Sequence, residues 1–75
     1  MPYIRIKAYP KDMETKKKVV DAINQVFVDN WGCAPNAISI SIEEIKPEDW
    51  ESTVENAEIE PMADKMMVLH GDKKY

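Results

Sequence analysis

Hydrophobic and polar positions alternate over "YIRIKAY" at residues 3–9: Ile4, Ile6 and Ala8 fall on one face, and Tyr3, Arg5, Lys7 and Tyr9 on the other. A period of two predicts a half-buried strand, which Pro10 closes. Asp12 then offers an N-cap to "METKKKVVDAINQVFVDNW". There Val19, Ile23, Val26, Phe27 and Trp31 recur at three- and four-residue spacing, giving one helical stripe. Gly32 stands where a left-handed C-terminal cap belongs. After the turn "CAPNA", the segment "ISISIEEI" alternates again, with Ile38, Ile40 and Ile42 on its covered face. Strand, helix and strand in that order predict a βαβ unit with parallel strands and a right-handed crossover. Beyond Glu44, Pro47 suits a first helical position and the acids after it suit a helix N-terminus. Pro61 divides this region into two short helices, roughly 47–58 and 60–69. Gly71 ends the second, and "DKKY" is expected to fray.

Two parallel strands make too small a sheet to stand alone. Both also carry a polar face where a buried parallel sheet would be apolar throughout. The economical solution joins the sheets of two chains edge to edge, with the helices over the isoleucine face. The expected architecture is α/β: a βαβ unit with parallel strands plus short C-terminal helices. It forms a single domain over residues 1–75, completed as a homodimer. Assembly beyond a dimer, to a hexamer, stays open.

Composition narrows the setting. A chain of 75 residues buries only about 60% of its unfolded surface, near the limit of independent stability. Hydrophobic residues at 44% and charged residues at 32% exclude a disordered tail. Cys33 is the lone cysteine, so no intrachain disulfide can form and a reducing cytosol is the simplest setting. The opening residues are too charged for a signal-peptide core, and no apolar run is long enough to span a bilayer. The expectation is a cytoplasmic protein with no membrane partner. A net charge of -4 argues against nucleic acid, which needs clustered cations. The one basic run, "TKKKVV", fans Lys16, Lys17 and Lys18 outward from a helix as a solvated face. Without a disulfide or a metal cage, oligomerisation is the readiest source of stability.

Most reactive residue types lack the company that chemistry requires. His70 is the only histidine and has no partner for chelation, so it reads as a surface residue and no metal is expected. Cys33 follows a helix-ending glycine without a CxxC motif and reads as an incidental thiol. Met62, Met66 and Met67 read as core or interface filling. Ser39 and Ser41 lie on the outward face of the second strand with no GxSxG elbow. No GxGxxG or GKS/T stretch is present, which removes the common nucleotide loops. Trp50, in "PEDW", either anchors a helix or forms an aromatic wall beside a pocket. Pro2 is a small penultimate residue of the kind that permits Met1 removal. Strand one begins immediately after it, so the freed secondary amine would be held rigidly.

Together these features resemble the tautomerase superfamily typified by 4-oxalocrotonate tautomerase. The features that carry the likeness are Met-Pro at the start, "PYIRIKAYP" as strand one, one long amphipathic helix, and "NAISISIEEIKPEDW" as strand two with its trailing aromatic. The stretches "IKPEDW" and "AEIEPM" resemble a branch of small, dimeric bacterial tautomerases in which helices replace a C-terminal hairpin. The resemblance covers essentially the whole chain and rests on the combination. It implies a keto–enol tautomerase without a cofactor, acting on a small 2-keto or 2-hydroxydienoate acid, with Pro2 as general base. An α-amino group titrates at about 7.7–8.0, so burial and nearby cations must disfavour its ammonium form. Such a base supplies roughly 10²–10⁴-fold. Further help must come from groups that hold the substrate carboxylate and the developing enolate.

At the places of the superfamily's two catalytic arginines, this chain has Lys11 (within one residue) and Ser39. Lys11 offers a point charge and not a bidentate fork, while Ser39 offers one hydrogen bond. The exchange favours a monoacid over a diacid, such as a phenylpyruvate-like acid whose ring stacks on Trp50 at the aromatic-wall position. Strand one, at about seven residues and ~3.3 Å each, spans ~23 Å, so Lys11 cannot approach Pro2 of its own chain. Trp50 follows the parallel second strand and is displaced toward the same end. Antiparallel docking of two chains would carry both residues to the other subunit's Pro2. Two alternatives use the same residues differently: a decarboxylase or hydratase with Pro2 protonated as an acid, or an iminium-forming amine. A reading from another class is a non-catalytic α/β dimer that binds a small acid or protein, with Pro2 structural. The N-terminus separates them, because a retained Met1 makes the Pro2 nitrogen an amide without basicity.

Overall fold

The computed structural model describes residues 2–75. The chain forms two compact units, the first ending at Ile45 and the second running from Lys46 to Tyr75.

In the first unit, β1 (Tyr3–Ala8) leads into α1 (Met13–Trp31), a single 3-10 turn at Pro35–Ala37, and β2 (Ser39–Glu44). The strands pair in parallel from Tyr3 opposite Ser39 to Ala8 opposite Glu44. That register sets Ile4 beside Ile40 and Ile6 beside Ile42, all half-buried. On the other face Arg5 reaches diagonally to Glu43, with Nη2 3.8 Å from Oε1. Asp12 caps α1 as its residue type predicts, and Gly32 ends the helix at φ 74° in the left-handed region. The backbone alternation and both caps therefore form as the sequence predicts.

The stripe of α1 differs from the expected one. Val19 and Val26 are 43% and 55% exposed, and Trp31 is 72% exposed. The half-buried positions are Thr15, Lys16, Val20, Ile23, Asn24, Phe27 and Val28. Val19 and Val20 are both apolar, so spacing alone permits either to face the sheet. A sheet of two strands is narrow and covers only one band of the helix. Val19 and Val26 lie on the flank of that band, and Trp31 leans on Phe27 at the helix end with ring centroids 5.6 Å apart.

The second unit departs further from expectation. Pro47 opens α2 (Pro47–Trp50), and the winding then widens over Glu51–Ile59, where the Glu60 amide reaches back to the Glu55 carbonyl. It tightens to a 3-10 helix at Glu60–Lys65. The second helix thus stops at Lys65 and not near residue 69. Met66 is extended, at φ -74° and ψ 129°. A minimal hairpin follows, β3 (Val68–Leu69) against β4 (Asp72–Lys73). His70 and Gly71 form its two-residue loop at φ 48° and 81°, both positive as a type I′ turn requires. Gly71 is therefore a hairpin residue and not a helix cap. The tail is paired as far as Lys74, whose amide donates to the Met67 carbonyl at 2.8 Å. "MMVL" is a short apolar run of the kind that periodicity cannot assign to helix or strand. Met62 and Met67 are exposed, so neither fills a core of the single chain.

Among the described residues only Ile45 and Val54 are buried, at 8% and 5% exposure. No helix among them is long and apolar enough to cross a membrane.

Candidate functional site

Pro2 is half-buried directly before β1. Its carbonyl accepts the Ser39 amide at 3.1 Å, which extends the parallel ladder by one bond. The first residue of β2 thereby pins the start of β1, while the Ser39 side chain is exposed. Two of the residues expected at the site are brought together here, at the N-terminal ends of both strands.

The opposite end holds Lys11. Six strand residues at ~3.3 Å each separate the two ends by ~20 Å, so Lys11 and Pro2 of one chain lie apart. The turn into α1 is tightly bonded. The Ile45 amide donates to the Ala8 carbonyl at 2.9 Å, carrying the ladder past Glu44. Asp12 accepts the Thr15 amide at 3.0 Å and the Thr15 hydroxyl at 2.6 Å. The hydroxyl bond first, then the amide bond, holds the Asp12 carboxyl below the usual carboxylate range.

Glu44, the last residue of β2, reaches the same turn. Its Oε2 accepts the Lys11 backbone amide at 3.0 Å and the Lys16 ammonium at 3.1 Å. The Lys11 amide, and then Lys16, hold the Glu44 carboxyl below its ordinary value. An apolar hollow of about 90 Å³ lies beside this cluster, lined by Ile6, Ala8, Tyr9, Lys11, Lys16 and Val19 among others.

Sequence reasoning passed over Glu44 and placed Lys16 on a solvated face, which the structure corrects. The alternation of β2 breaks at "EE", a signal that its second acid faces something other than solvent. Lys16 lies four residues before Val20, on the covered band of α1, and its side chain is only 23% exposed. Lys17 and Lys18 are exposed as expected.

Trp50 closes α2 in the second unit and is half-buried. In that unit His70 is exposed, as expected, and sets Nε2 3.2 Å from both carboxylate oxygens of Glu55. Cys33 is a free thiol, its Sγ 3.5 Å from the Phe27 carbonyl. Among the described residues no cluster of histidine, cysteine and carboxylate side chains could hold a metal ion. The state of Met1 lies outside the described residues.

The family model for tautomerase enzymes matches residues 2–55, spanning the βαβ unit and the first helices beyond it. This chain belongs to the tautomerase family. Similar curated proteins agree over nearly the full length. Tautomerase PptA of Cronobacter sakazakii is 31% identical over 68 residues, covering 88% of this chain and 90% of that protein. Tautomerase PptA of Shigella sonnei is 32% identical over 73 residues, covering 95% and 96%. Tautomerase PptA of an Enterobacter strain is 28% identical over 73 residues, with the same coverage. The chain is therefore a tautomerase-type isomerase, as the resemblance of its strands and helix implied. Within this tautomerase the geometry offers two sets of groups. One is a rigidly anchored Pro2 beside the Ser39 amide, and the other is a cationic turn whose charge Glu44 partly offsets.

Proposed function

We propose that this tautomerase interconverts the keto and enol forms of a small 2-keto or 2-hydroxydienoate acid, including phenylpyruvate-like acids. Pro2, freed by removal of Met1, is the general base. Its nitrogen takes the enol hydroxyl proton as the carbonyl forms and delivers a proton to the carbon that becomes saturated. One proton leaves oxygen and one arrives at carbon, so the atoms balance without a cofactor. The observation that carries this reading is the bond from the Ser39 amide to the Pro2 carbonyl. A base fixed by the sheet itself meets the positional demand of proton transfer. Lys11 supplies the cation for the substrate carboxylate, the Ser39 hydroxyl one hydrogen bond, and Trp50 the aromatic surface for the substrate's tail.

The reading includes a homodimer. Because Lys11 lies ~20 Å along the sheet from Pro2 of its own chain, the Lys11 that serves a given Pro2 comes from the second protomer. A structural role for Pro2 in a non-catalytic dimer, or an acid role in a decarboxylase or hydratase, is separated by one pair of measurements. Intact mass of the protein from its own cells should lack Met1. Ketonisation of phenylenolpyruvate should then fall at least ~10²-fold in Pro2→Ala. Equal rates in wild type and variant would remove the catalytic proline.

A further inference from the structure

Two lysines line the hollow at the turn into α1, yet they are not equivalent. The Lys16 ammonium stands 3.1 Å from Glu44 Oε2, whereas among the described residues the Lys11 ammonium is in no ion pair within 4.0 Å and interacts with the Asp12 carboxylate only at longer range. The same Glu44 oxygen accepts the Lys11 backbone amide at 3.0 Å. One carboxylate therefore fixes the main chain that carries Lys11 and offsets the charge of Lys16. The walls between the two lysines are apolar, from Ile6, Ala8 and Val19.

We propose that Glu44 determines substrate specificity by occupying Lys16, which leaves Lys11 as the single cation for a substrate carboxylate. The site then accepts monocarboxylates and discriminates against dicarboxylates. A second carboxylate arriving near Lys16 meets the negative charge of Glu44 and must displace it before gaining a partner. Glutamate is ionised at neutral pH, and the Lys11 amide and then Lys16 hold the Glu44 carboxyl below its ordinary value, so the block extends into mildly acidic solution. The proposal rests on the reading of Lys11 as the substrate-binding cation given above.

Glu44→Gln removes the charge and retains an amide oxygen able to accept the Lys11 backbone N–H. The test compares kcat/KM for 2-hydroxymuconate, a dicarboxylate, with kcat/KM for phenylenolpyruvate, a monocarboxylate. In Glu44→Gln the dicarboxylate-to-monocarboxylate ratio should rise about three- to tenfold, the size of one charge contact at a half-exposed site. Adding Lys16→Met should return the ratio to the wild-type value. If Glu44→Gln does not fold, Glu44→Thr, which suits a strand, serves the same comparison. An unchanged ratio, or a rise that survives Lys16→Met, would overturn the proposal. Lys11→Ala distinguishes the underlying reading. Monocarboxylate turnover that ignores Lys11→Ala removes that reading and the proposal with it. Turnover that depends on Lys11 while the ratio stays fixed removes the proposal alone.

Discussion

The amide of Ser39 donates to the carbonyl of Pro2 at 3.1 Å, so the first residue of one strand anchors the residue that precedes the other. The anchor uses main-chain atoms only, and its loss can be separated from loss of the serine hydroxyl. Ser39→Ala keeps the amide and should lower kcat/KM by no more than about tenfold, the scale of one neutral hydrogen bond. Ser39→Pro deletes the donor and frees the chain end. It should cost about 10²-fold, the penalty of misplacing a reacting group by an ångström. Steady-state ketonisation kinetics on both variants check the difference, and equal losses would count against the anchor.

In the proposed reading Lys11 meets the substrate through its side chain, while its amide bonds to Glu44, so its variants should separate the two roles. Lys11→Ala leaves the amide bond to Glu44 in place. It should raise KM about tenfold or more with little change in melting temperature, as expected for loss of a charged hydrogen bond to substrate. Lys11→Arg restores the charge and adds a fork suited to carboxylate, and should recover most of the affinity. A melting curve beside the kinetics tells binding from stability.

Acid should loosen the turn between β1 and α1. The Asp12 and Glu44 carboxyls are both held below their ordinary values in the folded chain, by Thr15 and by Lys11 with Lys16 respectively. A depressed folded value means the stabilisation is full above the unfolded values, at about 4. It is lost as pH falls through the lower folded values. Thermal stability should therefore fall below about pH 4, and the fall should be shallower in Asp12→Asn and in Glu44→Gln. A double variant that keeps the full wild-type acid slope would assign the loss elsewhere.

Gly71 sits at φ 81° with nothing within 4 Å of where a Cβ would stand. The cost of Gly71→Ala is therefore backbone strain alone, about 1 kcal/mol. That corresponds to a fall of about 5 °C in melting temperature for a chain of this size. Gly71→Asn, which tolerates the left-handed region better, should fall less. Differential scanning calorimetry ranks the three chains.

Much of this architecture is legible without coordinates. The alternation of isoleucines in β1 and β2, the Asp12 cap and the Gly32 stop each follow from a local rule, and local rules survive folding unchanged. What is not legible depends on width and reach. Periodicity shows that α1 is apolar at both Val19 and Val20, but only the narrowness of the sheet decides that Val20 is covered. The pair His70-Gly71 does not announce a hairpin, because a histidine at positive φ is uncommon. Of the residues proposed for the site, Pro2 and Trp50 stand out by residue type and position, and Lys11 and Ser39 by resemblance. Glu44 is marked in the sequence only by the broken alternation at "EE", because its partners are an amide 33 residues away in sequence and a lysine on α1, the preceding helix.

Only Ile45 and Val54 are shielded among the described residues, while Val19, Val26, Met13 and Trp31 stand in water. In the homodimer proposed above, a second chain would cover such side chains, and folding would then be a reaction of second order. Its melting temperature should climb with protein concentration, as mass action requires when association stabilises the native state. Diluted far enough, the enzyme should lose its shape and its turnover together.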